Sequence, residues 1–196
     1  MRILAVSDTE ADRFYTYYTP GRLDSYDLII SCGDLRREYL EFLVTFARCP
    51  LLYVHGNHDE ALEKQAPEGC ICIDGKLYVH EGIRILGLGG SFRYKPGPFQ
   101  YNEAQMRGRI LRLAPSLLRQ RGFDILVSHA PAYGIGDLPT RTHRGFESFN
   151  RLLDKYHPRL FLHGHVHRNY GPQIPQKRAY NDTLIVNAYG YCELEL

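Results

Sequence analysis

The chain is 196 residues long with a formal net charge of +2, and 44% of it is hydrophobic against 23% charged. That length suits one domain spanning residues 1–196 with a sizeable core, and the composition excludes a disordered or fibrous chain. No apolar run approaches the roughly 20 residues needed to cross a bilayer, no signal-peptide pattern opens the sequence, and so small a charge argues against long nucleic acid as a partner. A cytoplasmic protein that does not engage a membrane is expected.

RILAVSD predicts a strand ending in Ser7 and Asp8, with Glu10 just beyond. Phe14, Tyr15, Tyr17 and Tyr18 follow and are expected in the core, with an exposed patch for dimerisation or base stacking as the alternative. DLIISCGD reads as a second strand, closing on Gly33 and Asp34. From Leu35 to Arg48 the residues Leu35, Tyr39, Phe42, Leu43 and Phe46 fall at three- and four-residue intervals, the stripe of an amphipathic helix. LLYVHGNHD is a third strand, ending in Gly56, Asn57, His58 and Asp59. LYVHEG and IRILGLGG read as a hairpin, and Arg93 to Tyr101 as a surface loop. Asn102 to Arg121 is predicted helical, with Arg93, Lys95, Arg107, Arg109 and Arg112 forming a basic stretch on a solvated face. DILVSHA is a strand that ends in Ser128 and His129. A helix from Phe146 to Tyr156 stops at His157-Pro158. RLFLHGHVH is a strand running into Gly164, His165 and His167, and TLIVNAYG with YCELEL reads as a second hairpin.

Continuous apolar runs of this length suit strands covered on both faces. Their alternation with helices predicts an α/β architecture, largely parallel in the first half and mixed with antiparallel strands in the second. The five cysteines are an odd number with no C-x-x-C pair, so buried, reduced thiols are expected.

Metal-ligand residue types recur at the carboxyl ends of these strands, where open α/β sheets bind ligands. Singly, an aspartate after a strand is an ordinary helix cap. Together, Asp8, Glu10, Asp34, Asn57, His58, His129, His165 and His167 would converge on one crevice. Mixed carboxylate, amide and imidazole donors suit Mn²⁺, Fe²⁺ or Zn²⁺. The number of candidates exceeds what one tetrahedral ion needs, which predicts two divalent ions.

The motifs S-D-T-E, C-G-D-L, H-G-N-H-D, V-S-H-A-P and H-G-H-V-H, in this order over residues 7 to 167, resemble those of the calcineurin-like metallophosphoesterases. The resemblance implies a four-layer α/β/β/α sandwich with mixed sheets. It implies that Asp8, the residue at 10, Asp34 and His167 hold one metal. Asp34, Asn57, His129 and His165 would hold the second, with Asp34 bridging. It further implies hydrolysis of a phosphodiester or phosphomonoester by a metal-activated hydroxide, with His58 beside the leaving group and Asn57 also near the substrate. A capping or packing role is the alternative for His58.

Two positions depart from the family's pattern. Where the family usually has histidine this chain has Glu10, expected to ligate through oxygen, with a side chain turned to solvent as the alternative. As a ligand it would make the centre neutral, favouring Mn²⁺ or Fe²⁺ over Zn²⁺, with Zn²⁺ and Mg²⁺ as the alternatives, and diesters over dianionic monoesters. After Asp34, where many members carry a second aspartate (one that orients the catalytic histidine in the protein phosphatases), this chain has Arg37, and Arg36 and Arg37 are expected to face solvent. The loop from Asp137 to Gly145 is expected to rim the site, with Arg141, His143 and Arg144 as candidate phosphate contacts. The substrate expected is a small phosphate ester, a nucleotide among the candidates. Alternatives are a nuclease or nucleotide phosphodiesterase, and a catalytically impaired binding protein on the same fold.

Overall fold

In the first strand Ile3 and Ala5 point to one side and Leu4 and Val6 to the other, and all four are fully buried. A strand with two apolar faces has to be covered on both, and that requirement sets the layers of the molecule. The computed structural model describes residues 1–171 and 174–196. In chain order the elements are β1 (Arg2–Ser7), β2 (Leu28–Ser31), α1 (Arg37–Phe46), β3 (Leu51–Tyr53), α2 (Glu60–Lys64), β4 (Ile71–Cys72), β5 (Lys76–His80), β6 (Ile83–Leu88), β7 (Ser91–Phe92), β8 (Gln100–Tyr101), α3 (Glu103–Arg112), α4 (Ala114–Arg119), β9 (Ile125–Ser128), α5 (Glu147–Tyr156), β10 (Leu160–His163), β11 (Lys177–Tyr180), β12 (Thr183–Asn187) and β13 (Gly190–Glu195).

One large sheet has the order β13-β1-β2-β3-β4 and the other β11-β12-β10-β9-β6-β5, while β7 and β8 pair in a separate two-stranded sheet. The inner faces of the two large sheets meet through Ile3, Ala5, Ile30 and Leu52 on one side and Ile85, Val127, Leu162 and Val186 on the other. The outer face of the first sheet packs Leu4, Val6, Ile29 and Leu51 against Phe14 and the α1 residues Tyr39, Leu40 and Leu43. The outer face of the second packs Leu86, Leu126 and Phe161 against Met106, Leu117, Phe149, Leu152 and Leu153 from α3, α4 and α5. The result is the α/β/β/α sandwich expected. Among the described residues no helix is long and apolar enough to cross a membrane.

The hairpin of β5 and β6 forms as expected. The second expected hairpin does not. β12 lies in the second sheet, antiparallel to β11 and parallel to β10, whereas β13 pairs antiparallel with β1 in the first. The chain changes sheet at Ala188 and Tyr189, between two runs whose alternation looks alike. The long helix expected from Asn102 is two helices. It opens on a capping box in which Asn102 Oδ1 accepts from the Gln105 N–H and Gln105 Oε1 accepts from the Asn102 N–H, both at 2.9 Å. It breaks at Leu113, with Pro115 in the first turn of α4.

The basic stretch is not uniformly solvated. Arg109 turns inward beside Asp74, with side chains 13% and 8% exposed. That carboxylate also takes the Gly89 N–H at 2.7 Å and lies 3.1 Å from His55 Nδ1. Of the early aromatic cluster, Phe14 is buried and Tyr17 is 69% exposed. All five cysteines are free.

Candidate metal centre

The parallel strands β1, β2, β3, β9 and β10 all end at one edge of the sandwich, and the chemistry collects in the turns that leave them. These turns are sharp. Asp8, Asp34 and His165 have φ of 64°, 56° and 66°. Each sits in the left-handed region that disfavours side chains by roughly 1–2 kcal/mol, and such residues gather where a site over-determines its backbone. Two glycines let the turns close. A Cβ on Gly56 would fall on the Asp34 carboxylate, and one on Gly164 would fall on Ser7 Oγ and Asp8 Oδ2.

Backbone donors then fix the carboxylates. Asp34 Oδ1 accepts the His58 N–H at 2.7 Å, and Asp8 Oδ2 accepts the His165 N–H at 2.9 Å. Asp59 Oδ2 accepts both the Gly56 N–H at 2.7 Å and the Asp34 N–H at 2.9 Å, tying the second and third turns together. What remains free points inward. Asp34 Oδ2 lies 3.2 Å from His129 Nε2, which is itself 3.1 Å from Asn57 Oδ1. Asp8 Oδ1 is buried with no hydrogen-bond partner among the described residues, 3.4 Å from His167 Nε2. One donor atom from each of Asp8, Asp34 and His129 lies within 4.8 Å of the others.

His129 reveals what this geometry demands. Its Nδ1 is 2.8 Å from the Cys32 carbonyl, which can only accept, so Nδ1 carries a hydrogen. In the neutral ring Nε2 is then a lone pair facing two acceptor oxygens, an arrangement that requires a proton or a cation between them. Without a cation the proton wins: burial pushes His129 down, but the Asp34 and Asp8 carboxylates outweigh it and raise the ring to about 10. For Asp34, burial acts upward and His129 overrides it, bringing the carboxyl down to about 2. The ring of His165 is fixed by a backbone carbonyl as that of His129 is, with Nε2 donating to the Thr142 carbonyl at 2.7 Å and Nδ1 left as the lone-pair nitrogen. Burial, with His129 beside it, lowers His165 to about 3. Orphaned carboxylate oxygen, lone pairs facing acceptors and mixed O/N donors together fit divalent cations.

An open cleft of about 440 Å³ is lined by Asp8, Asp34, Asn57, His58, Tyr94, Thr142, His143, His165, His167 and Tyr170. The structure therefore brings Asp8, Asp34, Asn57, His58, His143, His165 and His167 to one place, with His129 buried behind them. It does not bring Glu10 there. Both Glu10 oxygens accept from Arg36, from Nε at 2.6 Å and Nη2 at 2.7 Å. Arg36, expected in solvent, is exposed yet engaged, and Arg37 pairs with Glu41 at 2.6 Å. Arg141 and Arg144 line a neighbouring cavity of about 680 Å³ with Phe92 and Tyr133. The Arg144 guanidinium lies 4.7 Å from the Phe92 ring centre and 4.9 Å from that of Tyr133. Arg141 also borders a groove of about 390 Å³ with Arg93, Tyr94 and Lys95.

Three contributors escaped the sequence reading. Tyr94 accepts from Asn57 Nδ2 at 3.2 Å, Tyr170 stacks on the His167 ring at 4.9 Å, and Thr142 holds His165. All three lie in loops with no strand-end signal. Asp59 is the last residue of H-G-N-H-D, and nothing in that motif signals that its carboxylate ties two turns together.

This fold and this cluster define a metallophosphoesterase-type domain. The chain belongs to the calcineurin-like phosphoesterases, whose family model matches residues 1–169, and members of that family generally bind divalent metals. A protein of Haemophilus influenzae described as uncharacterized is 26% identical over 176 residues, covering 72% of this chain and 73% of its own length. The crystal structure of TT1561 of Thermus thermophilus superposes with a TM-score of 0.59 at 14% identity, over 96% of this chain and 88% of that one, which shows the shared fold. A protein of unknown function from Aquifex aeolicus, AQ665, covers 96% of this chain and 89% of its own at 18% identity with a TM-score of 0.44.

Proposed function

We propose that the chain is a metal-dependent phosphoesterase that hydrolyses a small phosphodiester or phosphomonoester in the cytoplasm. The observation that carries this reading is the His129 Nε2 lone pair, set 3.2 Å from Asp34 Oδ2 and 3.1 Å from Asn57 Oδ1. Two divalent cations, Mn²⁺ or Fe²⁺ ahead of Zn²⁺ or Mg²⁺, would be held by Asp8, Asp34, Asn57, His129, His165 and His167, with Asp34 shared. Bound there, they supply a water of lowered pKa and neutralise charge on the phosphoryl group.

The protein's own groups do the rest. The backbone N–H donors of His58 and His165 fix the Asp34 and Asp8 carboxylates before any ligand arrives, so no reorganisation is needed when substrate binds. His58 is exposed at the cleft and makes no hydrogen bond among the described residues except through its N–H. Its ring is free to protonate the leaving oxygen. His143 faces the same cleft, while Arg141 and Lys95 border the groove that shares Tyr94 with it and would take the rest of the substrate. A nucleotide is favoured within the substrate class by the cavity of about 680 Å³ with Phe92, Tyr133 and Arg144 beside the cleft. The five free cysteines support a reducing compartment.

The test is hydrolysis of bis-p-nitrophenyl phosphate and p-nitrophenyl phosphate after reconstitution with Mn²⁺, Fe²⁺, Zn²⁺ or Mg²⁺. Turnover that disappears in His129→Ala and falls sharply in His58→Ala is expected. A folded protein inactive with every metal would turn the assignment to a binding protein on this fold.

A further inference from the structure

Glu10 sits two residues beyond Asp8, but the chain has already turned away from the cleft by then. The Ala11 N–H donates to the hydroxyl of Tyr39, a buried α1 residue, at 3.3 Å, and Phe14 is buried three residues later. This clasps the segment after Glu10 to the helix layer. Arg36, at the N-cap position of α1, meets Glu10 from the same layer and closes a two-bond fork on its carboxylate. A pair this exposed on the arginine side is weak in itself. What it shows, with the Ala11–Tyr39 bond, is direction: both Glu10 oxygens face α1.

The fork engages Nε and Nη2, two of the guanidinium's three nitrogens, and leaves three of its five N–H groups free. Arg36 also lines a cleft of about 370 Å³ together with Asp34 and His58, on the helix side of the site. On the metal-centre reading above, we propose that Glu10 is a positioning residue for Arg36 rather than a cation ligand, and that Arg36 is a phosphate-binding cation beside His58. The cation on the Asp8 side then has Asp8, Asp34 and His167 as its protein ligands, one fewer than the cation held by Asp34, Asn57, His129 and His165. Only two carboxylates count against a dianionic substrate, because the charge of Glu10 is matched by Arg36. The handicap on phosphomonoesters expected from a third ligating carboxylate is thereby lifted.

Calorimetric titration of metal-free protein with Mn²⁺, followed by titration of the Mn²⁺-loaded protein with inorganic phosphate, tests this. Glu10→Ala and Arg36→Ala are expected to keep the Mn²⁺ stoichiometry and both affinities within about two-fold of wild type. Asp34→Asn is expected to lose Mn²⁺. Phosphate affinity should fall about ten-fold in Arg36→Ala, partly in Glu10→Ala, and no further in the double variant, because the two act as one unit. Loss of a Mn²⁺ equivalent in Glu10→Ala would overturn the proposal, as would unchanged phosphate affinity in Arg36→Ala. If Asp34→Asn retained full Mn²⁺ binding, the metal-centre reading itself would fail, a result separate from either of these.

Discussion

Asp59 offers the most discriminating test of how the site is built. It is 4% exposed, and a single oxygen, Oδ2, accepts the N–H groups of both Gly56 and Asp34. Asp59→Ala strands both donors away from water. At about 1.5 kcal/mol for each bond to a charged acceptor, the loss comes to about 3 kcal/mol. For a chain of this length that is roughly 6–12 °C in Tm. Asp59→Asn should behave differently, because its amide oxygen can occupy the Oδ2 position and keep both bonds. Burial, and then the nearby Asp34 charge, raise the Asp59 carboxyl above its ordinary 3.8. A raised carboxyl penalises the folded state above the unfolded value, and the penalty is relieved as pH falls through the folded one. The Asn variant lacks that penalty, so it should unfold within about 1 kcal/mol of wild type at pH 7, and its gap to wild type should shift toward wild type on acidification. Urea unfolding in EDTA, read as a midpoint shift at constant m, measures this. An alanine variant as stable as wild type, or an asparagine variant as damaged as alanine, would refute the argument that these two N–H bonds hold the turns together.

Further expectations follow from other contacts. In EDTA the His129–Asp34 pair should make stability pH-dependent at both ends. The His129 contribution is complete below its ordinary 6.5 and lost as pH rises through about 10, while that of Asp34 is present above 3.8 and lost as pH falls through about 2. Melting temperature measured from pH 7 to 10 should therefore decline in metal-free protein, and a flat profile would contradict the pairing. Arg109→Ala leaves the buried Asp74 carboxylate without its cation and should cost about 3–5 kcal/mol, whereas the exposed Arg107→Ala should stay within about 0.5 kcal/mol in the same denaturation assay. Tyr94→Phe removes the acceptor of the Asn57 amide N–H; a loss of about 1 kcal/mol predicts Mn²⁺ affinity about five-fold weaker by calorimetry with no change in fold by circular dichroism.

Much of this was legible in the residues. The runs ILAV, LIIS and ILVS name strands covered on both sides, and the polar residues that end them name the edge where ligands collect. Periodicity can say that a strand exists but not which sheet takes it. β13 looks like the natural hairpin partner of β12, yet it pairs with β1, because the decision depends on packing between residues far apart in sequence. Arg109 reads as an ordinary exposed helix cation; its burial depends on Asp74, 35 positions away. Glu10 is the most instructive case. Its spacing from Asp8 matches a ligand's, and the direction of its side chain is decided by Tyr39 and Arg36, which no local pattern around Glu10 contains. Tyr94, Thr142 and Tyr170 reach the site from loops, where hydrophobic periodicity carries no information.

The pairing of β1 with β13 bears on how the molecule assembles. Arg2 faces Glu195 across that ladder, and the Met1 ammonium donates to the Leu196 carbonyl at 3.1 Å. In chain order the strand that delivers Asp8 comes well before its outer neighbour β13. Until residues 190–195 pair with it, β1 is a bare apolar edge, the kind of surface that recruits other chains. Contacts spanning nearly the whole sequence also slow closure. The metal centre's first carboxylate is therefore expected to find its final setting only once β13 has paired with β1, and cations would meet a completed cleft only then.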